Sequence, residues 1–104
     1  MKNSKAVLSV RFKSTYDSEE LSNLFHQHLE DFKNVPGLLQ KYYVADENSE
    51  TVGGIYVFEN KEARASFWDS KLAKGIPATY GVKMETLSVE ELEVSIEMME
   101  TEIV

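Results

Sequence analysis

Hydrophobic and polar residues alternate from the first positions of the chain. Ala6, Leu8, Val10 and Phe12 point one way, and Val7, Ser9, Arg11 and Lys13 point the other. This two-residue period predicts a strand over residues 5–13. Asp17 or Ser18, followed by Glu19 and Glu20, offers an N-cap with acids in the first turn. Leu21, Leu24, Phe25, His28, Leu29 and Phe32 then recur at spacings of three and four, which predicts one apolar stripe on a helix over 18–33. Pro36-Gly37 ends that helix. Residues 38–45 (LLQKYYVA) read as a second strand, 46–50 (DENSE) as a hairpin loop, and 52–59 (VGGIYVFE) as a third strand. Gly53-Gly54 inside that strand marks a bulge or a close backbone approach. Asn60 caps a helix over 61–73 that buries Ala63, Phe67, Trp68 and Leu72; Gly75 stops it and Pro77 keeps it stopped. Val82 to about Glu90 reads as a fourth strand.

Two periods compete at the end of the chain. Leu92, Val94, Ile96 and Met98 alternate with Glu91, Glu93, Ser95 and Glu97, whereas Val89, Leu92, Ile96, Met99 and Ile103 fit a helical stripe. The alternation favours a strand that continues from the fourth, apolar on one side and with glutamates on its outer face. The order strand–helix–strand–strand–helix–strand is the ferredoxin-like arrangement of the α+β class. Its two helices cover one face of a four-stranded antiparallel sheet. The third strand, however, is apolar on both sides, with Val52, Tyr56 and Phe58 against Ile55 and Val57, and the second sets Tyr42 and Val44 against Leu39 and Tyr43. A solvated face alternates with polar residues. An economical cover for the second face is another copy of the same sheet, so a homodimer is expected.

Charge narrows the partners. The chain has 104 residues, with 18 acids against 11 bases and no cysteine. That length suits a single domain over 1–104, able to bury a core without disulfides. The missing cysteines exclude a disulfide scaffold, a thiol nucleophile and a thiolate metal site. The net charge of −7 argues against nucleic-acid partners. All 11 bases lie between Lys2 and Lys83 beside 11 of the acids, so the first 83 residues are neutral. The remaining seven acids, Glu85 to Glu102, carry the whole net charge, and residues from about 90 to 104 form an acidic extension. No apolar run approaches the roughly 20 residues of a membrane span, and no targeting segment is visible. A cytoplasmic protein without membrane partners is the expectation.

The stretch Pro36-Gly37-Leu38-Leu39-Gln40-Lys41-Tyr42-Tyr43, the polar hairpin, then Gly53-Gly54-Ile55-Tyr56-Val57-Phe58-Glu59 and Lys61-Glu62-Ala63 resembles the YdhR-like monooxygenases of the dimeric α+β barrel superfamily. The motif covers about residues 36–63, and the element order extends the likeness over nearly the whole chain. The resemblance implies a ferredoxin-like protomer, a dimer with sheets packed face to face, and a small-molecule pocket between sheet and helices. Cofactor-independent oxygenases, haem-degrading enzymes, isomerases and dehydratases share the superfamily, so fold alone does not choose a reaction. The glutamate-rich end departs from the shorter neutral ending of the group.

Among candidate site residues, His28 stands on the apolar stripe facing the sheet, where an imidazole can serve as general base. A core histidine bonded to a carbonyl or a tyrosine hydroxyl is the competing role. His26, about 200° round the helix, faces solvent. Tyr43, Tyr56, Trp68 and Phe25 suit the walls of a pocket for a flat, mostly apolar ligand, although ordinary packing also uses such residues. Two histidines two residues apart on a helix do not converge on a metal, and no calcium loop, nucleotide-binding glycine motif or catalytic triad is present. The expected function is a monooxygenase with neither cofactor nor metal, acting on a small aromatic ligand such as a quinol or polyphenol. The alternatives are a ligand-binding or non-oxidative barrel protein, or a structural dimer without catalysis.

Overall fold

The computed structural model describes residues 4–98. Its elements are β1 (Ala6–Phe12), α1 (Ser18–Gln27), α2 (Leu29–Lys33), β2 (Leu38–Asp46), β3 (Thr51–Phe58), α3 (Lys61–Trp68), α4 (Lys71–Lys74), α5 (Ile76–Thr79), a 3-10 turn (Met84–Thr86) and β4 (Ser88–Glu93). The four strands form one antiparallel sheet in the order β2-β3-β1-β4, so β2 and β4 are its edges. The even positions of β1, Ala6, Leu8, Val10 and Phe12, are buried under the helices with Tyr56 and Phe58 of β3.

Each predicted helix is broken once. Asp17 starts α1 with a full capping box, its side chain accepting from the Glu20 N–H at 2.9 Å while the Glu20 side chain accepts from the Asp17 N–H at 3.1 Å. The stripe over 18–33 does not run on unbroken. His28, at φ −99° and ψ 7°, ends α1 and begins α2, and its carbonyl accepts from the Asp31 N–H at 3.1 Å. The helix expected over 61–73 divides at Asp69-Ser70, because Ser70 caps α4 by accepting from the Ala73 N–H while its hydroxyl donates to the Phe67 carbonyl. Gly75-Pro77 does not end the helical region either. Pro77 sits in the first turn of α5, where a missing N–H breaks no helical bond.

The fourth strand is shorter and later than its expected span of 82–90. Val82 makes only an isolated bridge to Ser14. The 3-10 turn follows, held by Thr86, whose hydroxyl accepts from the Lys13 N–H at 2.8 Å and donates to the Lys83 carbonyl. Residues 94–98 are neither strand nor helix, so the expected continuation stops at Glu93, although the Val94 N–H still donates to the Lys5 carbonyl. Met99 and Ile103 of the competing helical stripe lie outside the described residues.

The glutamates of β4 are exposed but divide between the two faces of the sheet, with Glu90, opposite Ser9, on the open one. Glu91 and Glu93 stand opposite Leu8 and Ala6, on the helix side of the sheet. There they meet Arg64 of α3, which is 7% exposed and donates to the carbonyls of Val7 (3.1 Å) and Leu92 (2.8 Å) and to Glu93 Oε2 (3.2 Å). Glu91 Oε1 lies 3.8 Å from the same guanidinium. Leu92 instead shares the open face with Val7, Val57, Ile55 and Tyr42; Leu92 is 51% and Tyr42 55% exposed. No helix among the described residues is long and apolar enough to cross a membrane.

Candidate functional site

Pairing of the two hairpin strands builds the floor of the site. Lys41 stands opposite Tyr56 and Tyr43 opposite Gly54, all on the helix side. Gly54 keeps that floor low, since a Cβ there would stand 3.1 Å from the Tyr56 ring and 3.2 Å from Lys41 Cε. Gly53 lets β1 approach, because a Cβ there would strike the Val10 carbonyl. Rings from the helices close the roof. Phe25 of α1 lies 4.4 Å from the Tyr43 ring and 5.3 Å from that of Tyr80, the residue following α5. Phe32 of α2 lies 6.1 Å from Tyr56. The rings surround a void of about 10 Å³, room for no more than a single water.

Lys41 sits where this void meets the outside. Its Nζ lies 3.3 Å from the centroid of Phe32, 4.3 Å from that of Tyr43 and 4.7 Å from that of Tyr56. The same side chain lines an open groove of about 250 Å³ at the β2 edge, walled by Leu29, Phe32, Lys33, Leu38, Leu39 and Gln40. Among the described residues no carboxylate pairs with Lys41 Nζ. Burial lowers this amine from 10.5 to about 7. The faces of three rings attract the ammonium form and work in the opposite sense.

The tyrosines respond to the same burial in the other direction. Tyr56 and Tyr80 are pushed well above the ordinary phenol range, first by burial and then by repulsion from neighbouring phenolates, with Asp31 adding to the rise at Tyr80. Burial also raises Tyr43. All three remain neutral near pH 7. The hydroxyls of Tyr43 and Tyr80 are buried with no hydrogen-bond partner among the described residues. Such groups are seldom left unpaired, so a polar partner such as a water belongs beside these two hydroxyls.

Phe25, Tyr43 and Tyr56 come together here as three walls of one chamber. Trp68 does not join them. It packs on the core from α3, which covers other parts of β1 and β3, and lines neither void nor groove. His28 stands at the rim. Its helix breaks there, yet the side chain stays partly buried like Leu24 and Phe25, 29% exposed, and it lines neither void nor groove. Nδ1 lies 3.1 Å from Asp31 Oδ2, and the imidazole meets Tyr80 edge-on at 6.0 Å. His26 is exposed, its Nδ1 2.8 Å from the Ser22 carbonyl. Lys41 and Tyr80 are the members that sequence reasoning missed. Lys41 shares the period of Tyr43 along β2, which was the available signal, while Tyr80 depends on α5, hidden behind Gly75 and Pro77. Among the described residues no group of three or more His, Asp or Glu side chains is placed to hold a metal ion.

The profile of the family described as "Putative mono-oxygenase ydhR" matches residues 7–100. The chain belongs to this family. No curated protein sequence matches it. Solved structures share its fold at low identity. A protein of unknown function from Nitrosomonas europaea is 14% identical with a TM-score of 0.73, covering 96% of this chain and 98% of its own. A monooxygenase of Streptomyces coelicolor, in complex with the ligand nanaomycin D, is 19% identical with a TM-score of 0.69, covering 96% of each chain. SnoaB, a cofactor-independent oxygenase from Streptomyces nogalater, is 11% identical with a TM-score of 0.64, covering 92% of this chain and 96% of its own. These likenesses show a shared α+β ferredoxin-like fold.

Proposed function

We propose that the protein is a monooxygenase that needs no cofactor and oxidises a small phenolic or quinol-type aromatic. The observation that carries this reading is the pair of unpartnered hydroxyls, Tyr43 and Tyr80, in an aromatic-walled chamber beside an open apolar groove. Family membership and the cofactor-independent oxygenase of the same fold support it. An aromatic ring seats against Leu29, Phe32 and Leu38 in the groove, with its oxygen directed at the chamber. Once the phenol is deprotonated, the phenolate gives one electron to dioxygen, and superoxide and phenoxyl radical combine at a ring carbon. Protonation to the hydroperoxide and loss of water leave a quinone, so both oxygen atoms are accounted for without an external reductant. The chain's contributions are a dry site, hydroxyl donors and a proton acceptor.

His28 is the acceptor suggested by residue type, its Nδ1 turned to Asp31 and its Nε2 left for a ligand at the rim. Phe25, Tyr43 and Tyr56 serve as walls, while Trp68 would act only at a distance, through the core. The open sheet face of Val7, Tyr42, Ile55, Val57 and Leu92 is covered by a second copy, completing a homodimer. The purified protein should consume oxygen with at least one member of a hydroquinone and polyphenol panel. Binding detected by thermal shift, with no oxygen uptake across the panel, would instead identify a ligand-binding protein.

A further inference from the structure

We propose that Lys41, rather than His28, takes the proton from a phenol bound at this site. The inference rests on the reading of the groove as a phenol site and adds the identity of its base. Lys41 is the side chain common to the walls of the groove and of the void, whereas His28 lines neither. A ring in the groove therefore places its oxygen nearer Nζ than any imidazole nitrogen. Among the described residues the lysine also lacks an anion to hold it as a cation, although the ring faces around Nζ attract its ammonium form. Three rings surround Nζ and, among the described residues, no carboxylate pairs with it.

Among the described residues no charged or titratable group around Lys41 supplies an anion, so only the ring faces oppose the effect of its burial. From β2 and β3, Tyr43 and Tyr56 present ring faces and stay un-ionised. From α2, Lys33 shares the groove wall and adds positive charge, although Glu30 partly answers it at 3.0 Å. Asp31 is turned to His28, and Tyr80 stands beyond Tyr43 across Phe25. Proton transfer converts amine and phenol into ammonium and phenolate, with no net charge brought into the chamber. The ammonium so formed remains beside the oxygen that must hold negative charge, the place where a fixed cation is most effective.

The test uses para-nitrophenol under nitrogen, so that no oxidation is required. Below the phenol's own pKa, saturating wild-type protein should produce the yellow phenolate band on binding. Lys41→Met should lose that band, and His28→Gln should keep it. A band surviving in Lys41→Met, or lost in His28→Gln, overturns the proposal, as does its absence from the wild type. Amine labelling of the wild type, read by peptide mass, provides a check that needs no variant. Lys41 should label half-maximally near neutrality, well below the surface lysines, and labelling only at the pH of ordinary lysines overturns the proposal as well. If the band and labelling behave as expected while no phenol drives oxygen uptake, the oxygenase reading fails and Lys41 keeps its role.

Discussion

Replacing Lys41 by Met should make the protein more stable, and the gain should depend on pH in a way that identifies the amine. In the folded chain burial lowers Lys41 from 10.5 to about 7. Above about pH 10.5 the amine is neutral whether the chain is folded or not, and Lys41 imposes no charge penalty. As pH falls from there toward 7, the unfolded chain takes up a proton that the folded chain does not, and folding loses stability. Below about 7 both states are protonated and the penalty is constant. At about 1.4 kcal/mol per pH unit the full interval corresponds to about 5 kcal/mol. Attraction of the ammonium to the rings of Phe32, Tyr43 and Tyr56 acts against the shift, so this figure is an upper limit. Methionine keeps the length and apolar stem without the charge. Urea unfolding of wild type and Lys41→Met should therefore differ by up to about 5 kcal/mol near pH 6. The difference should shrink steadily toward about pH 9.5. Taking the difference between the two proteins cancels the tyrosines, whose raised pKa values reduce stability only above about pH 10. Two stability curves that run parallel in pH would refute the reasoning, because Lys41 would then keep an ordinary pKa.

Other predictions concern the frame around the chamber. Arg64→Met removes two charge-assisted bonds to the Val7 and Leu92 carbonyls and should cost about 3 kcal/mol in urea unfolding, whereas Glu93→Gln, a half-exposed partner, should cost under about 1 kcal/mol. Equal losses would mean that the ion pair, not the carbonyl clamp, anchors β4. Gly53→Ala drives a methyl into the Val10 carbonyl and should cost about 3 kcal/mol, while Gly54→Ala meets only a ring edge and the lysine stem and should cost no more than about 1 kcal/mol. The reverse order would misplace the two glycines. Tyr42→Glu sets a charge on the apolar sheet face and should turn a dimer into a monomer in sedimentation; a monomeric wild type would refute the covering of that face by a second copy.

The architecture was legible because its signals are local and repeated. Four even positions of β1 reach the core as their alternation requires, and Asp17, Asn60 and the Pro36-Gly37 turn mark boundaries by their own hydrogen bonding and backbone geometry. The breaks at His28 and Ser70 were less legible, because an apolar stripe continues through a helix interruption if the chain resumes in phase. At His28 the stripe gives the partly buried side but not the helix break, which shows only in the carbonyl's bond to the Asp31 N–H. Glu91 and Glu93 show the opposite failure. Their period was read correctly, but its inward side was assigned by hydropathy, which cannot see that Arg64 waits 29 residues before Glu93.

Lys41 is the clearest case of chemistry that pattern reading passes over. Between Gln40 and Tyr42 a lysine reads as a solvated strand position, since charged side chains usually leave the core. Alternation nevertheless places it with Tyr43, and the pairing with Tyr56 carries it under α2. Its conflict with hydropathy was therefore visible once the helix-facing side of β2 was known. What the sequence alone withholds is the missing anion: a buried lysine beside a carboxylate would be a structural ion pair, and the same lysine among three rings is a group that can release its proton. That distinction depends on where Asp31 and Glu30 point, and they point to His28 and Lys33. The base of this site is thus defined as much by the pairing of its neighbours with other groups as by the residue itself.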